Sequence, residues 1–199
     1  IATNASGIST NASNISTNSS AITTINSTTL ANFTSGSRVY SDSLRNTSVG
    51  TGSLSSLVLV DNPYGNSAFG YNTLKNNTIG AYNAAFGENA LLTNTLGNHN
   101  SAFGTDSLYA NTTGDKNSSF GMNSLWKNTS GNHNLAAGNM TLFNNTTGSY
   151  NTALGTMSGY NVTTGSNNVF IGAYAGYLES GSVSDKLYIS SYTNNSYTN

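Results

Sequence analysis

The sequence predicts a mostly β fold, a parallel β-roll or solenoid of 17-residue coils behind an N-terminal stalk, and three observations lead there. A seventeen-residue unit recurs through more than half of the chain, and repeats of this kind mark stacked architectures. Isoleucines spaced by seven precede the array. Twelve Tyr, seven Phe and one Trp argue for packing in a chain whose polar composition would otherwise suit disorder.

The repeat is clearest from Asn66, where NSAFG is followed by NAAFG from Asn83, NSAFG from Asn100 and NSSFG from Asn117. NLAAG from Asn134, NTALG from Asn151 and NVFIG from Asn168 continue it without slippage. Position nine of the unit is Leu74, Leu91, Leu108, Leu125 and Leu142, then Gly159 and Gly176; position fifteen is Gly from Gly80 to Gly165. A degenerate copy starts at Asn46, with Leu54 at position nine and three extra residues before Asn66, so the array spans 46–181. Seventeen residues are too few for a helical hairpin and suit a coil of two short strands joined by Gly-bearing turns. Stacked at about 4.8 Å, eight coils give a segment of roughly 40 Å.

Stacking places each side chain over its counterpart one coil earlier. Phe69, Phe86, Phe103 and Phe120 are therefore expected to form an internal column, continued by Leu154 and Ile171, beside a column of position-nine leucines. The first-position Asn is a candidate ladder residue whose amide satisfies turn backbone and the next Asn. The fifth Gly fits a positive φ or a close chain approach.

Residues 1–35 carry a different period. Ile1, Ile8, Ile15 and Ile22 fall every seven residues, with Asn4, Asn11 and Asn18, then Ile25 and Asn32, three residues later. Ile at a and mostly Asn at d reads as a coiled-coil stalk whose polar layers set register and chain number. Ser, Thr, Asn and Gly7 are poor helix formers, so a helix here needs partner chains, and disorder or an extended form is the alternative. Residues 36–45, with Arg38, Asp42 and Arg45, form a neck. LSSLVLVD from Leu54 reads as a strand that Pro63 ends; in 182–199, DKLYIS reads as another strand and the rest as a tail.

Composition removes several functions. A net charge of −1 leaves no electrostatic footprint for nucleic acid or an anionic membrane, and no run of eighteen apolar residues exists. Without Cys there is neither a disulfide framework nor a thiolate metal site. The chain starts at Ile1 without a charged and apolar leader, which reads as a soluble, processed or excised piece.

The NSAFG-type coils, LxxNTTG-type connectors and Ile/Asn heptads resemble the heads and stalks of trimeric autotransporter adhesins and of phage and other viral fibres. The stretch from Asn167 to Ser190 resembles the closing segment of such fibres. The resemblance implies a left-handed β-roll, a homotrimer with a trimeric coiled-coil stalk, a surface location and adhesion or host attachment. It also implies that Asn4, Asn11 and Asn18 surround a buried anion such as chloride, the one cofactor-like group expected; Ala5, Ala12 and Ser19 stand where those layers usually carry Thr.

No catalytic motif joins Asp42, Asp61, Glu88, Asp106, Asp115, Glu179 and Asp185, so no enzyme is expected. His99 and His133 share position seventeen two coils apart, roughly 10 Å, too far for a common metal ion. Position ten carries Lys75, Leu92, Tyr109, Trp126, Phe143, Tyr160 and Tyr177, a sugar platform or, preferably, the seam between protomers. Position seventeen, with Tyr82, His99, Lys116, His133 and Tyr150, is the candidate receptor stripe. A spacer without its own receptor is the first alternative, and ice binding by the Thr row from Thr78 to Thr163 the second. Sixteen Asn begin N-x-S/T; Asn14, Asn26, Asn111, Asn128 and Asn145 are expected to be open to glycosylation, whereas Asn4, Asn11, Asn18 and Asn117 are expected to be covered.

Overall fold

The computed structural model describes residues 10–11, 13–21, 39–41, 45–57 and 64–190, in two units, Ile1–Arg38 and Val39–Asn199. In the first unit, residues 10–11 and 13–21 are helical. The Thr17 and Ser20 hydroxyls donate to the Ser13 and Ser16 carbonyls, both at 3.0 Å, so polar side chains turn back into their own helix. Ile15 is 70 % exposed, and Asn11, Asn14 and Asn18 are exposed on the same helix. Ile1, Asn4, Ile8, Ile22, Ile25, Asn26 and Asn32 lie outside the described residues.

The second unit holds one sheet whose strands follow chain order: β1 Val39–Ser41, β2 Thr47–Val49, β3 Ser67–Phe69, β4 Ala84–Phe86, β5 Ser101–Phe103, β6 Ser118–Phe120, β7 Leu135–Ala137, β8 Thr152–Leu154, β9 Val169–Ile171 and β10 Leu187–Ile189. From β2 onward all neighbours are parallel, and the array is a β-solenoid. Strand β1 lies in the expected neck and pairs antiparallel with β2, Val39 opposite Val49, which covers one edge of the sheet. The three extra residues before Asn66 leave the register intact, because Thr47 still pairs with Ser67 and the Asn66 backbone N–H still donates to Asn46 Oδ1 at 2.8 Å. DKLYIS supplies β10, as expected, paired with β9.

Each coil has one strand of three residues rather than the two expected. The second stretch is a run of turns in which positions seven and nine both take positive φ, for instance Asn89 at 55° and Leu91 at 53°. These turns still bond coil to coil: Asn89 N–H donates to Tyr71 O at 2.9 Å, and Leu91 N–H to Ser107 O at 3.0 Å. Backbone pairing thus runs round the whole coil, and no second strand is required. LSSLVLVD is corrected in the same way, since its opening residues 54–56 are turn; residues 58–63 lie outside the described set.

The interior is thinner than the sequence suggests. Strand alternation points position three inward, where Ala68, Ala85, Ala102, Ser119, Ala136, Ala153 and Phe170 are fully buried. Opposite them stand Leu74, Leu91, Leu108, Leu125 and Leu142, all 0 % exposed. Position four therefore points outward, and the expected internal Phe column is corrected: Phe69, Phe86 and Phe103 are half-buried, and Phe120, Leu154 and Ile171 are exposed. The rings do stack, at 4.8, 4.8 and 5.3 Å between centroids, but on the outer face of the sheet.

Two buried Asn ladders fill the remaining interior. At position one, Oδ1 of each Asn accepts from the backbone N–H of the next, as from Asn83 to Asn66 at 3.0 Å, while Nδ2 donates to the position-fifteen carbonyl, Asn83 to Gly97 at 2.8 Å. At position twelve, Asn94, Asn111, Asn128 and Asn145 donate to Asn77, Asn94, Asn111 and Asn128 at 2.7, 2.7, 2.8 and 2.9 Å. The same amides reach their own coil's Gly carbonyl, Asn111 to Gly114 at 3.0 Å. Position fifteen is Gly for want of space: a Cβ on Gly97 would stand 2.7 Å from Asn111 Nδ2. The fifth Gly combines both expected reasons, since Gly87 has φ of 130° and a Cβ there would lie 2.6 Å from Gly104 O. The second ladder stops where Val162 takes position twelve, and Asn145 Oδ1 is left buried without a partner.

Two tests follow from these positions. Asn111→Ala strips partners from Asn94, Asn128 and Gly114, whereas Asn145→Ala also removes the orphaned oxygen, so N111A should be the more destabilising by at least about 1 kcal/mol in denaturant unfolding. Equal costs would contradict the ladder. Leu108→Ala should cost about 2 to 5 kcal/mol, and Phe103→Ala less than about 2 kcal/mol, because the half-exposed ring loses only part of its transfer term.

Candidate functional site

The position-seventeen residues stand in one exposed row. Tyr82, His99, Lys116, His133 and Tyr150 are all exposed, Tyr82 at 54 % and Tyr150 at 59 %. Every one of them has positive φ, between 56° and 60°, a conformation that swings the side chain out at a corner of the coil. The corner is fixed by bonds to the preceding coil, such as Lys116 N–H to Asn98 O at 2.9 Å and His133 N–H to Asp115 O at 3.0 Å. Rings in the row stack in two pairs, Tyr82 with His99 at 4.9 Å and His133 with Tyr150 at 4.8 Å, and Lys116 sits between the pairs. Tyr64 extends the row, its centroid 6.4 Å from that of Tyr82.

Position sixteen, next to this row, is structural. Asp115 Oδ1 accepts from Asn98 N–H at 2.6 Å, Asn132 Oδ1 from Asp115 N–H at 2.7 Å, and Ser149 Oγ from Asn132 N–H at 2.9 Å. Asp115 thus faces backbone. This third ladder was not foreseen, since its members Asn, Asp and Ser share an acceptor oxygen but no identity.

The position-ten row is present too, half-buried and continuous. Centroids from Tyr109 through Trp126, Phe143 and Tyr160 to Tyr177 are 5.6, 5.1, 5.2 and 5.5 Å apart. Lys127, exposed, lies 5.5 Å over the Phe143 ring and donates to Asn144 Oδ1 at 2.8 Å.

The Thr row differs from an outward hydroxyl array. Thr78, Thr95, Thr112, Thr129 and Thr146 each donate Oγ1–H to the carbonyl of the next Thr at 3.0 to 3.1 Å, so their protons are committed between coils. Among the described residues no group of three or more His, Asp or Glu could hold a metal ion. Tyr188, which stacks on Phe170 at 5.5 Å, has its hydroxyl pKa pushed up to about 12 by burial and by its hydrogen bond to Glu179; it sits at the last coil, away from the row.

The glycosylation expectations divide. Asn14 is exposed and Asn117 fully buried, but Asn111, Asn128 and Asn145 are corrected: they are 0 % exposed because position twelve is the second ladder. Asn76, one position earlier in its coil, also begins N-x-T and is exposed. No protein family, curated protein or solved structure matches this chain. After secretion from a glycosylating host, site-resolved mass spectrometry should find sugar at Asn14 and Asn76 and none at Asn111, Asn128 or Asn145. Occupancy at Asn128 would contradict the buried ladder.

Proposed function

We propose that the chain is a protomer of a non-catalytic, homotrimeric surface fibre that attaches its bearer to a glycan or protein receptor. The observation that carries this reading is the exposed row from Tyr82 to Tyr150, held on coils that bond to one another round their whole circumference. A preformed row spends little entropy on ordering when it binds, and copies of it on one particle multiply weak contacts. Two apolar rows, the position-ten rings and the position-four Phe, Leu and Ile side chains, offer surface through which protomers would meet in register.

Left-handed winding, the trimeric coiled coil in residues 1–35 and a chloride ion among Asn4, Asn11 and Asn18 belong to this proposal. So do a location on a cell or virion surface and a role apart from nucleic acid or the bilayer. Among the described residues no helix is long and apolar enough to cross a membrane. Ice binding is the weaker alternative, because the Thr protons are already spent between coils. The spacer alternative needs no row of exposed rings and leaves this one unexplained.

Light scattering of the purified chain should give three times its 20.6 kDa mass. A stable monomer at micromolar concentration would refute the trimer. Binding on glycan or cell-surface arrays, lost on replacing the row, supports attachment; silence on both favours the spacer.

A further inference from the structure

The row's composition narrows its ligand. Read along the coils it runs Tyr82, His99, Lys116, His133, Tyr150, a near-palindrome with a cation at its centre, an imidazole on either side and a phenol at each end. One coil step is about 4.8 Å, close to the length of a pyranose residue, and the five side chains span roughly 19 Å. The two stacked pairs present flat, polar-edged rings, the surface on which apolar sugar faces pack. Among the described residues Lys116 forms no ion pair, and its neighbour Asp115 is turned to Asn98, whose N–H and Nδ2 both donate to Asp115 Oδ1, at 2.6 and 3.2 Å. The other side chains flanking the row at position sixteen, Ala81, Asn98, Asn132 and Ser149, are uncharged, and beyond Tyr150 the row passes to Asn167 and Asp185. Lys116, the row's one formal cation, therefore stands at its centre.

Resting on the attachment reading above, we propose that this row binds a linear glycan carrying sulfate or carboxylate groups, with an anionic group at Lys116 and sugar rings over Tyr82 and Tyr150. His99 and His133 flank that cation and offer ring N–H donors to the same anionic group. Asp115 is the one carboxylate beside the row on position sixteen. Binding should thus weaken with salt.

The experiment titrates a sulfated hexasaccharide and its desulfated counterpart into the intact chain at low and at high salt, by calorimetry. The wild type should bind the sulfated sugar about tenfold or more tightly at low salt than at high salt, and the desulfated sugar weakly at both. K116N should lose affinity for the sulfated sugar together with most of the salt dependence, and H99N/H133N should bind it more weakly at both salt concentrations. Asn is the control residue because position seventeen needs positive φ, which Asn tolerates and which Asn167 already adopts at 59°. Their unfolding midpoints should match the wild type. Equal binding of both sugars, or no salt dependence in the wild type, would overturn the anionic-glycan assignment while leaving attachment standing. Absence of binding to either sugar and to cell-surface arrays would overturn both.

Discussion

The carbonyl of the fifteenth residue is the point on which the coil depends. It receives Nδ2 of the position-twelve Asn and of the position-one Asn of its own coil, as Gly114 O receives Asn111 and Asn100 at 3.0 and 2.7 Å. A coil this narrow buries backbone that no solvent reaches, and an unpartnered buried amide or carbonyl costs about 1 to 3 kcal/mol. An Asn amide offers both a donor and an acceptor, so a column of identical residues can satisfy itself and still have a proton for the backbone. Glycine at position fifteen lets both columns approach; position one then fixes where the strand starts, and the strand fixes which side chains face out.

With two polar columns inside, little volume remains for apolar groups, and the residues divide it strictly. Leu at position nine faces Ala at position three through most of the array. In the last coils the allotment reverses: Gly159 and Gly176 take position nine and Phe170 position three. A Cβ on Gly159 would lie 2.9 Å from the Phe170 ring, so the large side chain occupies the space that Leu fills elsewhere. Ser119 is a second local exception, an inward hydroxyl where its neighbours have Ala, and it receives the Ser107 hydroxyl at 2.8 Å. Phe rings at position four are too large for this interior and are carried outside, where stacking on their neighbours covers part of each ring.

Much of this was legible in the residues. Period, register through the degenerate copy, the Asn ladder at position one, positive φ at the fifth Gly and the final strand at Leu187–Ile189 all follow from spacing and residue type. What was misread has physical causes. Phe at a repeated position looks like core, but strand alternation gives the interior to the smaller residue beside it. Leu does not advertise positive φ, although its replacement by Gly159 and Gly176, at 61° and 63°, was a signal that position nine needs that conformation. Asn in an N-x-T sequence looks like an exposed turn residue, while the fixed Gly three residues later marked position twelve as a buried donor. For the candidate site, which residues share the row was readable from the period; the pairing of Tyr with His and the turning away of Asp115 depend on side-chain geometry that the period does not encode.

In the proposed attachment role the stripe acts as one surface only because the ladders hold successive coils in register. The most direct test of that claim is hydrogen exchange of individual Asn side-chain amides by NMR. Protection of the position-one and position-twelve Nδ2 protons, Asn100 and Asn111 among them, should exceed that of exposed Asn76 by orders of magnitude and approach that of the strand N–H groups. Exchange of Asn100 and Asn111 side-chain protons as fast as those of Asn76 would show that the ladders do not hold the coil together.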